Sequence, residues 1–337
     1  RVDTPCHPAV PLAADSDWVQ LSSGEWLRGE ILVLYRDKLE FESDELDLQI
    51  FDWEKITQLR SGQNVNIRLT NGDRLHGKLR VEGKAARLTG SDTSFERSQI
   101  LTITAGTPRE RNYWRSYLSF GANWRSGNTD QAEANARFDT ARRTLTSRLL
   151  LSYLGNFSET AEIQTANNHR ASGAWDYFLD ERLFVSPLFA EYFRDPFQNI
   201  QYRLTIGTGL GYQLVETART EWIISGGPAI QSTRFINVEE GENESELTPA
   251  LVVDTMLDIE LTSNLDFAYE YQVQLTNEES GLYSHHMVIG FMIEIAKWLD
   301  FDVSLVWDRI QKPTADENGD TPEQDDWRLI VGLGFDF

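Results

Sequence analysis

The chain has 337 residues, 40% apolar and 11% aromatic, with 53 Asp and Glu against 31 Lys and Arg and a net charge of −22. The acid excess excludes a nucleic-acid groove, which needs a basic stripe, and the apolar content excludes a disordered polymer. No apolar run approaches the roughly 18 residues of a spanning helix, which excludes a helical membrane protein but not a membrane barrel, whose strands alternate faces and average out as polar.

Residues 1–17 are rich in Pro and Ala and read as a flexible leader, with Ala13-Ala14-Asp15 as a candidate signal-peptide junction. Cys6 is the one cysteine, so no intrachain disulfide can form, and it reads as an inert thiol. Residues 18–106 contain an internal repeat. Leu21-Ser22-Ser23-Gly24-Glu25-Trp26-Leu27-Arg28-Gly29 returns 48 residues later as Leu69-Thr70-Asn71-Gly72-Asp73-Arg74-Leu75-His76-Gly77. Each copy reads as strand, tight Gly turn, strand. Short apolar segments follow in each, a pattern that resembles small SH3-like or Sm-like β domains. Thr107-Pro108-Arg109 breaks the pattern and marks a domain boundary.

From residue 110 to residue 337 the chain reads as about twelve long segments that alternate with a period of two, the signature of antiparallel strands with unlike faces. In the last, Trp327, Leu329, Val331, Leu333, Phe335 and Phe337 share one face, and Arg328, Gly332 and Asp336 the other. The segment at 182–193 alternates poorly. Connections at one end are short, as at 141–144, 179–182 and 262–264. At the other end 157–167, 236–246 and 311–325 read as long loops, the asymmetry of outer-membrane barrels. Aromatic residues gather at strand ends, as a membrane-interface girdle requires. The fold class expected is all-β: a twelve-stranded antiparallel transmembrane barrel behind a small two-repeat β domain.

Ser126-Gly127-Asn128-Thr129-Asp130, Asn167-Asn168-His169-Arg170, Trp175-Asp176-Tyr177-Phe178-Leu179, Gly207-Thr208-Gly209-Leu210-Gly211-Tyr212 and Gly226-Gly227-Pro228 resemble, in order and spacing, the salt-induced outer-membrane protein family, a domain of unknown function. The resemblance implies an outer-membrane barrel and little chemistry. The N-terminal repeat looks like an extension that some members carry. The terminal Phe337 resembles the signal read by the barrel-assembly machinery, a partner together with outer-membrane lipid and lipopolysaccharide.

Alternation places Arg115, Arg137, Arg148, Arg203 and Arg328 in the lumen with Asp254, Asp258, Glu270, Asp302 and Asp336. Acids crowd the last five strands, and arginines the early strands and the closing one. Two readings follow: a lumen packed shut by Arg–carboxylate pairs, or a narrow pore with an acidic, cation-preferring wall. Gly207-Thr208-Gly209-Leu210-Gly211 has no following helix and reads as room made inside a strand, not as a nucleotide loop. His285 and His286 are adjacent on a strand and point to opposite faces, which argues against a shared metal. No cofactor motif is evident, and no nucleophile is placed beside a base as an outer-membrane hydrolase would need. The functions carried forward are an envelope structural or stress-response protein, whose residues 18–106 bind peptidoglycan or a periplasmic protein, and a narrow cation channel.

Overall fold

The two Gly turns of the repeat set the N-terminal fold. Gly24 (φ +104°) and Gly72 (φ +89°) adopt left-handed backbone that side chains rarely take, and each closes a hairpin. The structure, a computed structural model, describes residues 16–35, 37–90, 93–106, 110–126, 130–217, 219–262, 264–296, 298–316 and 319–336. Most of the leader, Pro108, the centre of the 126–130 loop and Phe337 lie outside the described residues. The chain divides into two compact units, 1–112 and 113–337.

In the first unit, copy one contributes β1 (Asp17–Leu21), β2 (Trp26–Tyr35), β3 (Lys38–Ser43), β4 (Asp47–Asp52), a 3-10 turn at Trp53–Lys55 and β5 (Ile56–Arg60). Copy two contributes β6 (Val65–Leu69), β7 (Arg74–Gly77), β8 (Leu79–Glu82), β9 (Ala85–Leu88), β10 (Ser94–Glu96), a 3-10 turn at Arg97–Gln99 and β11 (Ile100–Ala105). Within each copy the last strand pairs with the first, β5 with β1 and β11 with β6. Each last strand also pairs with the other copy, β5 with β8 and β11 with β2. The copies therefore clasp each other reciprocally and share one core, with Val19, Ile31, Leu39, Phe41 and Leu59 from the first packed with Ile67, Leu79, Val81 and Ile103 from the second. Trp53 and Arg97 open equivalent 3-10 turns and meet directly, the guanidinium 4.3 Å from the ring centroid.

One buried acid ties this clasp. Asp17 accepts the amide of Ile31 through Oδ2 (2.7 Å) and the amide of Gly62 through Oδ1 (2.7 Å). The Ile31 amide has a counterpart 48 residues on, because the Leu79 amide is accepted by Ser61 Oγ (2.6 Å). Burial pushes the Asp17 carboxyl up, against the opposing pull of those amides.

The second unit is a closed barrel. Its strands are β12 (Trp114–Arg125), β13 (Gln131–Arg143), β14 (Ser147–Thr160), β15 (Ile163–Phe178), β16 (Leu183–Asp195) and β17 (Ile200–Glu216). They continue as β18 (Thr220–Phe235), β19 (Ser245–Thr262), β20 (Leu265–Leu275), β21 (Tyr283–Ala296), β22 (Leu299–Ile310) and β23 (Asp325–Asp336). Each pairs antiparallel with the next, and β23 closes on β12 through Tyr117↔Asp336 to Phe120↔Leu333. The short connections from β13 to β14, β15 to β16, β17 to β18, β19 to β20 and β21 to β22 share the end where β12 begins and β23 stops. The opposite end carries the connections 236–244, 276–282 and 311–324.

The long loop expected at 157–167 is absent. β14 and β15 run on to a two-residue turn in which Ala161 (φ 51°) and Glu162 (φ 63°) are both left-handed. The weak alternation at 182–193 has a local cause. The register of β16 shifts between Ser186 and Phe189, around Pro187, so a bulge breaks the period inside a real strand.

The outer face of the barrel leaves large apolar side chains exposed, among them Leu188, Ile206, Leu210, Ile230, Ile293 and Leu329. A continuous surface of this kind is stable against hydrocarbon, not water. Stacked aromatics mark the two ends: Trp307 lies between His285 and Trp327 toward the loops, and Trp298 stacks on Phe335 toward the short turns. The fold is a transmembrane β-barrel of the outer-membrane type.

Asp17→Ala leaves two buried amides without an acceptor and lowers the stability of the first unit by about 2–4 kcal/mol, read as an earlier urea transition of the full-length protein. The raised Asp17 value also means that the folded unit holds a proton the unfolded chain has released. Its stability falls as pH rises from about 3.9, the ordinary value for Asp, to the raised folded value, and Asp17→Ala removes that component of the slope.

Candidate functional site

Strands β13 and β20 are separated by four others even by the shorter way round the barrel, through β12, β23, β22 and β21. Arg137 on β13 nonetheless reaches Glu270 on β20, with Nη2 2.8 Å from Oε1, while its Nε holds Asp139 at 2.6 Å. Such a bond can only run through the lumen. Beside it, Leu154 of β14 packs against Val288, Val306 and Ile330 of β21, β22 and β23. The middle of the barrel is therefore crossed by an ion pair and an apolar layer together.

Toward the short turns, Arg148 holds Asp176 through Nε (3.0 Å) and Nη2 (2.8 Å), and Ser186 Oγ donates to the other carboxylate oxygen (2.6 Å). Arg148 is 4% exposed and Asp176 2%. The Arg148 guanidinium lies 5.2 Å from the Phe184 ring, which meets Phe178 edge-on. Gly211 makes this packing possible: a Cβ there would collide with the Phe184 ring, and one at Gly207 with Phe189. The glycines of β17 thus make room for phenylalanines on β16.

Toward the loops, one carboxylate gathers three cations or donors. Asp308 on β22 is bound by Arg170 Nη2 of β15 (2.8 Å), by His286 Nδ1 of β21 (2.7 Å) and by Arg328 of β23. Arg170 also holds Glu191 of β16 (2.8 Å), and Arg328 donates to Asn168 of β15. The cluster joins groups on five strands, β15 and β16 on one side of the lumen and β21, β22 and β23 on the other. Charges desolvated to this degree are costly unless paired.

The residues named from sequence divide accordingly. Arg137 and Glu270 meet; Arg148 finds Asp176; Arg328 finds Asp308. Asp302 accepts from Ser304 Oγ (2.9 Å), and Asp254 hydrogen-bonds Gln272. Asp258 faces Glu221 across the β18–β19 ladder. Arg115 is exposed near the start of β12 and donates to the Trp114 carbonyl. Asp336 is described only by its backbone pairing with Tyr117. Arg203 lies near the loop end of β17, beside Arg170 and Glu191 but with no ion pair among the described residues. His286 enters the Asp308 cluster, while His285 on the opposite face bonds Tyr271 Oη (2.7 Å). Glu191 went unread in the sequence because it lies beyond the β16 bulge, although Phe189-x-Glu191-x-Phe193 resumes the period-two signal there. Among the described residues no cluster of three or more His, Cys, Asp or Glu could hold a metal ion.

These strands are also what a family model recognises: it matches residues 118–337, from the first strand of the barrel to its end. The chain belongs to the family described as "Protein of unknown function, DUF481". No curated protein matches the sequence. Among solved structures, the DUF481 barrel is similar to the NanC porin at 10% identity over 66% of this chain and 98% of that one, with a TM-score of 0.39. A KdgM porin in complex with disordered oligogalacturonate aligns at 10% identity over 66% and 99% of the two chains (TM-score 0.34). The outer membrane channel DcaP of Acinetobacter baumannii aligns at 11% identity over 96% and 94% (TM-score 0.30). Scores this low carry no argument beyond the barrel that the strand ladder itself closes.

Removing one partner from a buried cluster leaves uncompensated charge. Asp308→Asn is expected to destabilise the DUF481 barrel by about 3–5 kcal/mol, measured as a lower guanidinium midpoint in detergent micelles. A shift within about 0.5 kcal/mol, the range of ordinary surface changes, would mean that water reaches and solvates the cluster.

Proposed function

We propose that the barrel is a closed outer-membrane anchor that presents the N-terminal unit to the periplasm as a binding module. The observation that carries this is the lumen crossed by Arg137–Glu270 and by the Arg170–Asp308–Arg328 cluster. A narrow barrel filled by side chains holds its shape and leaves no continuous water path. Both ends of the barrel domain emerge on the side of the short turns. In outer-membrane barrels that side is periplasmic, so the first unit is attached there. Its partner in this reading is peptidoglycan or another periplasmic protein.

The resemblance to the salt-induced family supplies the setting, envelope maintenance under osmotic stress. The outer connections fit the same setting. Glu239, Glu240, Glu242 and Glu244 in one and Asp316, Asp320 and Glu323 in another offer carboxylates that divalent cations can bridge to lipopolysaccharide phosphates. Phe337 serves assembly of the barrel in this proposal, which assigns no catalytic step to the chain.

The second reading, a narrow cation-preferring channel, rests on the acids of the lumen face, with Asp254, Asp258 and Asp302 on β19 and β22. Single-channel recording in planar bilayers separates the two. The anchor reading predicts no steady conductance from folded protein, either as residues 1–337 or as residues 110–337. Steady cation-selective current from both would replace the anchor with a pore. Current from the shorter form alone would make the first unit a plug.

A further inference from the structure

The loop end of the lumen holds a small cleft, open in part to solvent, whose wall includes Arg170, Glu191, Arg203, Ser284, His286 and Asp308. The loops fold over this end. Asn199 Nδ2 donates to the carbonyls of Asn237 (2.7 Å), Ala315 (3.1 Å) and Thr314 (3.3 Å), and Gln198 to that of Glu323 (3.2 Å).

The carboxylates of the wall are already engaged. Glu191 Oε2 takes Arg170 and Oε1 takes Gln274 (2.8 Å each). Asp308 Oδ1 takes Arg170 and His286, and Oδ2 takes Arg328. Arg203 feels the charges of Glu191 and Arg170 but bonds neither. It is 5% exposed, its buried Nε has no acceptor, and among the described residues it has no ion pair. Asp326 lies behind Arg328 at 3.5 Å and is not part of the cavity wall. Gly281 brings loop backbone beside Arg203: a Cβ built there lies 3.9 Å from Nη2.

A desolvated guanidinium without a partner is costly wherever nothing binds it. Its planar fork matches the two oxygens of a carboxylate or phosphate. We infer that Arg203 is the anchoring group of a site for a small oxyanion, a carboxylate or phosphate carried by a free solute, at the loop end of the lumen. Ser284 and His286 on the same wall are placed to add polar contacts, and the stitched loops limit the size of what enters. The site lies above the crossed middle of the barrel. It is therefore a recognition site whether or not the lumen conducts.

The test is thermal unfolding of the refolded full-length protein, titrated at constant ionic strength with inorganic phosphate and, separately, with acetate. The expected result is a saturable rise in Tm with at least one of them. Phosphate alone would identify a phosphate-bearing solute, and acetate alone a carboxylate. Lys312→Gln, an exposed control in the neighbouring loop, keeps the rise. Arg203→Met loses it. Arg203→Lys keeps the charge without the fork and weakens the apparent affinity by about tenfold, the factor that roughly 1.4 kcal/mol represents. Strand circular dichroism establishes that each variant is folded, and if Arg203→Met fails to fold, Arg203→Lys decides. A wild-type protein that responds to neither anion would overturn the proposal. So would variants at Arg203 that respond as wild type does. The conductance of the barrel is not read in this experiment, so its outcome leaves the anchor proposal standing or falling separately.

Discussion

Charge buried inside a closed β-barrel has few places to go. Every second residue of each strand points into the lumen, and a chain this acidic brings many carboxylates there. Water can solvate them in a wide pore, but a barrel of twelve strands is narrow enough for side chains to reach across. The observed solution is pairing over distance. Arg137 bonds Glu270 across the lumen, and Arg170 and Arg328 converge on Asp308. The remaining space is taken by Leu154 with its apolar partners and by the phenylalanines that the glycines of β17 admit. The contacts between opposite walls and the cleft at the loop end both depend on these side chains, because the strand ladder alone joins only neighbours.

The first unit meets a different constraint. A small β domain buries too little surface to be robust alone. Two repeats that exchange their last strands share one core and remove two sheet edges at once, since β5 and β11 are each paired on both sides. Asp17 stitches this clasp from inside. The cost of desolvating a carboxylate is met by amides that would otherwise be left open.

Much of this fold was legible in the sequence because period-two alternation is a local property. The twelve barrel segments and the Gly24 and Gly72 hairpins can be read from a few consecutive residues. Where local signals mislead, the reading missed. Ala161-Glu162 has none of the Gly or Asn chemistry of a tight turn, so the β14–β15 connection looked like a long loop. Pro187 hid the alternation of β16 and with it Glu191. Partnership across the lumen is not local at all. Nothing near Arg137 in sequence names Glu270, and nothing near Arg203 shows that Glu191, the carboxylate that acts on it, is already held by Arg170 and Gln274. The reciprocal clasp of the repeats was invisible for the same reason, because pairing between copies leaves no mark within either.

Side chains from opposite walls meet in the middle of the barrel. A double-mutant cycle on Arg137 and Glu270, which sit on strands that share no ladder, tests this most directly. Arg137→Ala, Glu270→Ala and the double variant would be compared by guanidinium unfolding of the full-length protein in micelles. The expected coupling is about 0.5–3 kcal/mol, the range for residues in direct contact. Additivity within about 0.3–0.5 kcal/mol, as for distant sites, would mean that the two walls do not touch and that the lumen is open.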